Sequence, residues 1–282
     1  MAKTLGAEQR RAFEMALDIA ASPDDVWRAL TEARELVRWF PLDASVTPGE
    51  GGTMRWNWGE GWDWESRIEV WEPGRRLRLV QDDARPVDTE GRPTAGDAAP
   101  ARVAMEFTLE TRQGRTRLRL VHSGFGHGAA WDNELDGITE GWQAELRSLR
   151  YYLERHRGQD RYTGRAWLTT PISRNEGWDR LVGPGGFRVA PREPAEGEAY
   201  AVTTPGGQRF TGTVQLHLPR QALAGTVAEL DDGWFRILTW TDAGGATGVW
   251  AWVSTYGDRR SEVDRFRDEA QATLTRLFAL SS

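Results

Sequence analysis

Cysteine is absent from the 282 residues. That excludes disulfides, thiol catalysis and zinc held by Cys, and it accords with a reducing compartment, so a cytoplasmic location is the expectation. Positive charge is not in excess. The 36 Lys+Arg stand against 42 Asp+Glu, for a formal net charge of -6. This balance argues against a general nucleic-acid-binding surface, so no nucleic-acid partner is expected. No stretch approaches the ~18 uninterrupted apolar residues of a membrane span, and the start, MAKTLGAEQRR, lacks the apolar run of a signal peptide. Several motifs are missing as well. There is no GxSxG elbow of a serine hydrolase and no HExxH zinc pair. The GPGG run at 183–186 has neither the Lys-Ser/Thr of a phosphate loop nor the GxGxxG of a dinucleotide fold. The expectation is no cofactor and no metal.

What is present begins with tryptophan. Fifteen Trp in a chain that is 39% hydrophobic and 28% charged is an excess of a bulky ring with one N–H donor. Clustered, such rings line a core, a pocket or an interface. The length suits two domains.

Periodicity sets out the elements. Phe13, Met15, Leu17 and Ile19 alternate with Glu14, Ala16 and Asp18, which predicts a strand with one apolar face. In SPDDVWRAL, Ser22 is an N-cap, Pro23 takes the first helical position, and Asp24 and Asp25 suit the positive helix start. A second short helix through EARELVRWF stops at Pro41. Strands follow: GGTMRWNW, then GWDWESRIEVWEPGRRLRLVQ broken by a turn at Pro73-Gly74, then a hairpin around Gln113-Gly114. Residues 82–101, rich in Asp, Pro, Gly and Ala, read as a mobile, dispensable loop. From Ala129 to Arg155 a helix carries Leu135, Ile138, Trp142, Leu146, Leu149 and Leu153 on one face. After a linker, HRGQDRYTG, the second half repeats the scheme more loosely: an opening strand RAWLTTPIS, a helical turn before GPGG, five further strands, and a last helix with Val263, Phe266, Ala270, Leu274 and Leu277 on one face.

The ordered set FEMALDIAASPDDVWRALTEARELVRWF, GGTMRW, RIEVWEPGRRLRL, a hairpin and GWQAELRSLRYYLE resembles the START-like, or SRPBCC, superfamily, and within it the branch related to the activator of the heat-shock-protein-90 ATPase. The resemblance covers about residues 11–156. Residues 160–282 join it only by topology and by their terminal helix. It implies an α+β helix-grip fold, a seven-stranded antiparallel sheet curled around a long C-terminal helix with a cavity between them, here duplicated in tandem. The expected domains are 1–157, a START-like helix-grip domain, and 158–282, a divergent second one. Members of the superfamily bind lipids, hormones or polyketides, and some catalyse cyclisation or hydrolysis, so the fold alone does not fix the function.

The ligand-binding candidates are Trp56, Trp58, Trp62, Trp64 and Trp142. If the two strand faces and the helix stripe meet, they form an aromatic cavity for a small hydrophobic partner. The alternative for each ring is ordinary core packing. No catalytic residue is assigned. His122 and His127, near Asp132, read as loop histidines with solvent or backbone partners; Glu60, Asp63 and Glu65 lie near the tryptophans, and Asp63 and Glu65 read as facing away from them. Three functions are weighed: binding of a hydrophobic or aromatic ligand in the first domain, a polyketide cyclase- or hydrolase-like enzyme, and a chaperone-associated interaction module. The first is the expectation, with a chaperone partner unsupported by any recognisable client-facing segment.

Overall fold

The computed structural model describes residues 11–59, 62–94 and 98–279. Contacts divide the chain into two compact units, Met1–Gln159 and Asp160–Ser282.

The first unit opens with β1 (Arg11–Ile19), α1 (Pro23–Thr31) and α2 (Ala33–Leu36). Ser22 caps α1 by accepting from the Asp25 N–H at 3.1 Å. Six strands follow: β2 (Asp43–Val46), β3 (Thr53–Gly59), β4 (Trp62–Glu72), β5 (Arg76–Ala84), β6 (Ala101–Arg112) and β7 (Arg115–Phe125). They form one antiparallel sheet in the order β1-β7-β6-β5-β4-β3-β2. The long helix α3 (Ala129–Tyr151) then runs on through one π-turn, Tyr152–His156. Along β1, Phe13 and Ile19 are buried while Met15 and Leu17 are half-buried. The strand is an edge of the sheet, so its middle is covered from one side only.

The second unit repeats this plan. Strand β8 (Tyr162–Thr170) precedes α4 (Arg174–Leu181), and six strands follow: β9 (Arg188–Ala190), β10 (Ala199–Thr203), β11 (Arg209–Leu218), β12 (Ala222–Val227), β13 (Gly233–Thr241) and β14 (Thr247–Thr255). Helix α5 (Arg260–Phe278) ends the unit. The sheet order is β8-β14-β13-β12-β11-β10-β9, the same permutation as in the first unit. In each, the first strand pairs with the last and the rest follow in descending order, so each unit has a helix-grip sheet of seven strands with a C-terminal helix.

The two grips are filled differently. In the second unit the rings of Phe187, Phe210 and Phe235 pack around Phe266 of α5 with centroids 5.8 to 6.2 Å away. Gly164 lets α5 lie directly on β8, since a Cβ there would sit 2.7 Å from the Val263 carbonyl oxygen. In the first unit α3 is packed tightly at Trp131 and along its C-terminal half, but not between. Leu146, Leu149 and Leu153 are buried, whereas Leu135 and Ile138, on the same predicted face, are half-buried.

Candidate functional site

The half-covered part of α3 faces a concentration of rings. Alternation along β3 buries Met54, Trp56 and Trp58, and alternation along β4 turns Trp62, Trp64, Ser66 and Ile68 inward while Asp63, Glu65 and Arg67 are exposed. Phe40, held where the chain leaves α2, is the hub. Its ring lies 4.9 Å from Trp39, 5.1 Å from Trp56, 5.0 Å from Trp58 and 5.1 Å from Trp142. Such edge-on and tilted contacts add to the apolar burial each ring supplies.

Between the sheet and α3 lies a cavity of about 670 Å³. Phe40, Trp56 and Trp64 line it together with Ile138 and Trp142 of α3, Met105 of β6 and His122 of β7. Trp58 and Trp62, expected among the lining residues, are not in its wall. Trp58 backs Trp56 and Trp64 at 6.5 and 5.3 Å, and Trp62 packs 6.2 Å from Trp64. Both keep the inward phase of their strands but sit at the irregular end of the β3–β4 hairpin, where the register slips between Asn57 and Gly59, and pack on neighbouring rings. Glu60 of the same hairpin lies outside the described residues.

The cavity reaches the surface through a gap in the sheet. Pairing of β4 with β5 runs from Glu72↔Arg76 to Arg67↔Val80. Beyond it, Trp62–Ser66 stay with β3 while Gln81–Ala84 stay with β6. The Gln81 side chain bridges the separated strands by donating to the Glu65 carbonyl at 3.0 Å. Charged residues of both signs line the rim, Asp63, Glu65, Asp82, Asp83 and Glu134 with Arg67 and Arg85, and Asp63 and Asp82 are paired with Arg55 and Arg102.

The segment that crosses this opening corrects the reading of residues 82–101 as a loose loop. Its first residues continue β5, and Val87 and Pro93 bridge across a turn. Asp88 organises that turn by accepting from the backbone N–H groups of Glu90 and Arg92 at 2.8 and 3.0 Å. Burial pushes the Asp88 carboxyl up, but these N–H donors and the Arg92 guanidinium outweigh it and hold it below the usual carboxylate value. The segment is tied down from below. Trp62 Nε1 donates to the Thr89 carbonyl at 2.9 Å, Trp131 Nε1 to the Ala99 carbonyl at 3.1 Å, and the Val87 N–H to Glu134 of α3 at 3.3 Å. Thr89 is buried, and Val87 and Pro93 form part of the cavity wall. Residues 95–97 lie outside the described residues.

Two polar side chains in the wall went unrecognised in the sequence. His122 is not a loop histidine. It sits on β7 in phase with Leu118 and Leu120, pointing inward, with its ring 5.5 Å from Phe13 and 4.8 Å from Phe125. Its Nδ1 is sealed and has no hydrogen-bond partner. Burial alone lowers its pKa from 6.5 to about 3, so the ring is neutral at neutral pH. Ser66 continues the inward row of Trp62 and Trp64, is 7% exposed and lines the same cavity. Unbroken alternation was the available signal for both. Asp63 and Glu65 do face away from the rings, as read, but the sheet gap brings them to the rim.

The tryptophans of the second unit serve differently. On the sheet face opposite Phe235, Trp250 and Trp252 stack at 6.2 Å, Arg165 lies 5.9 Å from Trp250, and Arg161 and Arg236 lie 5.6 and 5.8 Å from Trp252. That ladder is cation–π packing on strands β8, β13 and β14.

Residues 20–154 match the family model described as Activator of Hsp90 ATPase homolog 1-like protein. The resemblance drawn from the sequence is met over those residues. No curated protein matches the chain. Solved structures with similarity include protein MLL2253 from Mesorhizobium loti, at 23% identity over 52% of this chain and 98% of that one, with a TM-score of 0.44. Two others span most of the chain. DynU16, described as a putative protein in the dynemicin biosynthetic locus, is 20% identical over 94% of this chain and 97% of its own, TM-score 0.42. BexL, described as a di-domain ARO/CYC from the BE-7585A biosynthetic pathway, is 15% identical over 96% and 100%, TM-score 0.43. These likenesses extend to fold alone. Among the described residues no group of three or more His, Asp or Glu is arranged to hold a metal, and no helix is long and apolar enough to cross a membrane.

Proposed function

Starting from a first unit whose residues 20–154 match the activator-of-Hsp90-ATPase-homolog family, we propose that this unit binds a small hydrophobic or aromatic ligand between its sheet and α3. The observation that carries the reading is the cavity of about 670 Å³ walled by Phe40, Trp56, Trp64 and Trp142. Its size falls within the roughly 300–1,000 Å³ of small-molecule sites. Burying apolar ligand surface is worth about 25 cal/mol per Å² before the costs of association, so a flat molecule of two or three rings is held usefully without any charged contact. Trp56, Trp64 and Trp142 touch the ligand in this reading, while Trp58 and Trp62 support the wall and the covering segment.

A neutral, environment-sensitive dye such as Nile red tests it. The wild type is expected to give a saturable, blue-shifted signal at one site per chain. Ile138→Trp, which places a large ring in the cavity from α3, is expected to weaken that signal at least tenfold with the circular dichroism spectrum unchanged. Equal binding by wild type and Ile138→Trp would remove the cavity as the site.

A further inference from the structure

The apolar wall of the cavity is interrupted at two places, and both carry the same chemical message. Ser66 and His122 are each more than nine-tenths buried and both line the cavity, and His122 Nδ1 has no hydrogen-bond partner. Several other buried polar groups of this unit are matched within the fold, although Trp56 Nε1, also in the cavity wall, is not. The hydroxyl of Ser148 donates to the Trp39 carbonyl at 2.9 Å, that of Thr116 to the Ala21 carbonyl at 2.7 Å, and Trp39 Nε1 to the Ala29 carbonyl at 2.9 Å. A polar group held among apolar walls is stabilised by a hydrogen-bond partner, so two polar side chains in the wall of one cavity mark a place where a ligand can supply it.

Resting on the binding reading above, we infer that the ligand is an uncharged ring compound bearing a hydroxyl or carbonyl oxygen, which Ser66 Oγ and His122 Nε2 hold by hydrogen bonds. The geometry of His122 fixes its role. Nδ1 is sealed from solvent and unpartnered, so the economical tautomer leaves a bare lone pair there and carries the proton on Nε2. Nε2 is then a donor and requires an acceptor oxygen. Ser66 Oγ both donates and accepts, so it matches either a carbonyl or a hydroxyl.

Charge selects further. With a pKa of about 3, protonation of His122 at pH 7 is disfavoured by about four orders of magnitude. The imidazole is therefore no counter-ion for a carboxylate. An anionic ligand would lose its hydration and gain no opposite charge inside.

Equilibrium dialysis of three probes on the full-length chain at pH 7 separates the possibilities: naphthalene, 2-naphthol and 2-naphthoate share one ring system. Each hydrogen bond is worth about three- to tenfold in affinity. In the wild type 2-naphthol is expected to bind at least tenfold more tightly than naphthalene, and 2-naphthoate at least tenfold more weakly than 2-naphthol. Ser66→Ala and His122→Phe are each expected to lower 2-naphthol affinity three- to tenfold with naphthalene affinity held within twofold. The double variant should treat naphthol and naphthalene alike. Equal binding of naphthalene and 2-naphthol by the wild type, tightest binding of 2-naphthoate, or a naphthol preference that survives in the double variant would each overturn this inference and leave the cavity a general apolar site. If none of the three binds, the binding reading itself falls with it.

Discussion

His122 lies against the rings of Phe13 and Phe125 and is uncharged at neutral pH, with a single ring proton. The unfolded chain protonates this group near pH 6.5, whereas the folded chain does so only near 3. Between those values the unfolded state binds more protons, so the folded state loses ground as pH falls, at up to about 1.4 kcal/mol per pH unit. Above pH 6.5 the group has no such effect. His122→Phe has nothing to protonate. Urea unfolding is therefore expected to show the variant gaining on the wild type by on the order of 2 kcal/mol between pH 7 and pH 4.5. Parallel pH curves would mean that the ring is already charged or already solvated in the fold. At this scale the sequence was legible where residue type and alternation agreed, as for Trp56 and Trp64. It misled where they conflicted. Ser66 and His122 keep the inward phase of their strands, but their polarity marks them as surface or loop residues until the strand register is known.

At the scale of single elements, strong periodicity was readable and weak periodicity was not. Strands β1, β3, β4, β6 and β7 and helices α1 and α3 follow from apolar spacing of two or of three and four. Strands β2 and β9, with sequences DASV and RVA, have no apolar row to reveal them. Each is short and at a sheet edge, so its existence depends on pairing with a neighbour. The segment from Arg85 to Thr94 shows the same limit from the other side. Its composition offers little apolar surface, but the turn around Asp88 and the donation from Trp62 Nε1 to Thr89 supply order that composition does not display. Trp62→Phe keeps the ring and deletes that donor. It is expected to cost about 1 kcal/mol in urea unfolding, and to speed release of a bound probe in stopped-flow because the segment crosses the opening. Unchanged stability and unchanged release would mean that the segment is held without the indole. Replacing residues 85–99 by a Gly-Ser linker is likewise expected to lower the melting temperature by several degrees, in contrast to what its composition suggests.

Across the whole chain, one strand permutation occurs twice with two outcomes. Where the helix lies on its first strand, as Gly164 permits for α5 on β8, phenylalanines fill the grip. Where the helix stands off, as at Leu135 and Ile138 of α3, a space remains and larger rings only partly fill it. The duplication was legible from the recurrence of strands ending in one long amphipathic helix, but the difference between the grips was not. It depends on how closely each helix approaches its sheet, a distance set by single residues such as Gly164 and by the volume of facing rings. This asymmetry predicts where a ligand acts. A ligand that binds only the folded first unit stabilises it by RT ln(1 + [L]/Kd), about 2.7 kcal/mol at a hundredfold excess over Kd. Hydrogen exchange measured with and without saturating 2-naphthol is therefore expected to slow in β4, β5, α3 and the segment from Arg85 to Thr94, and to stay unchanged in β11 to β14 and α5. The sheet gap should respond most, because the bridge from Gln81 to the Glu65 carbonyl stands there in place of a strand ladder and opens most readily in the empty protein. Protection appearing instead in the second unit's core would assign the ligand to the filled grip and contradict the asymmetry on which the binding reading rests.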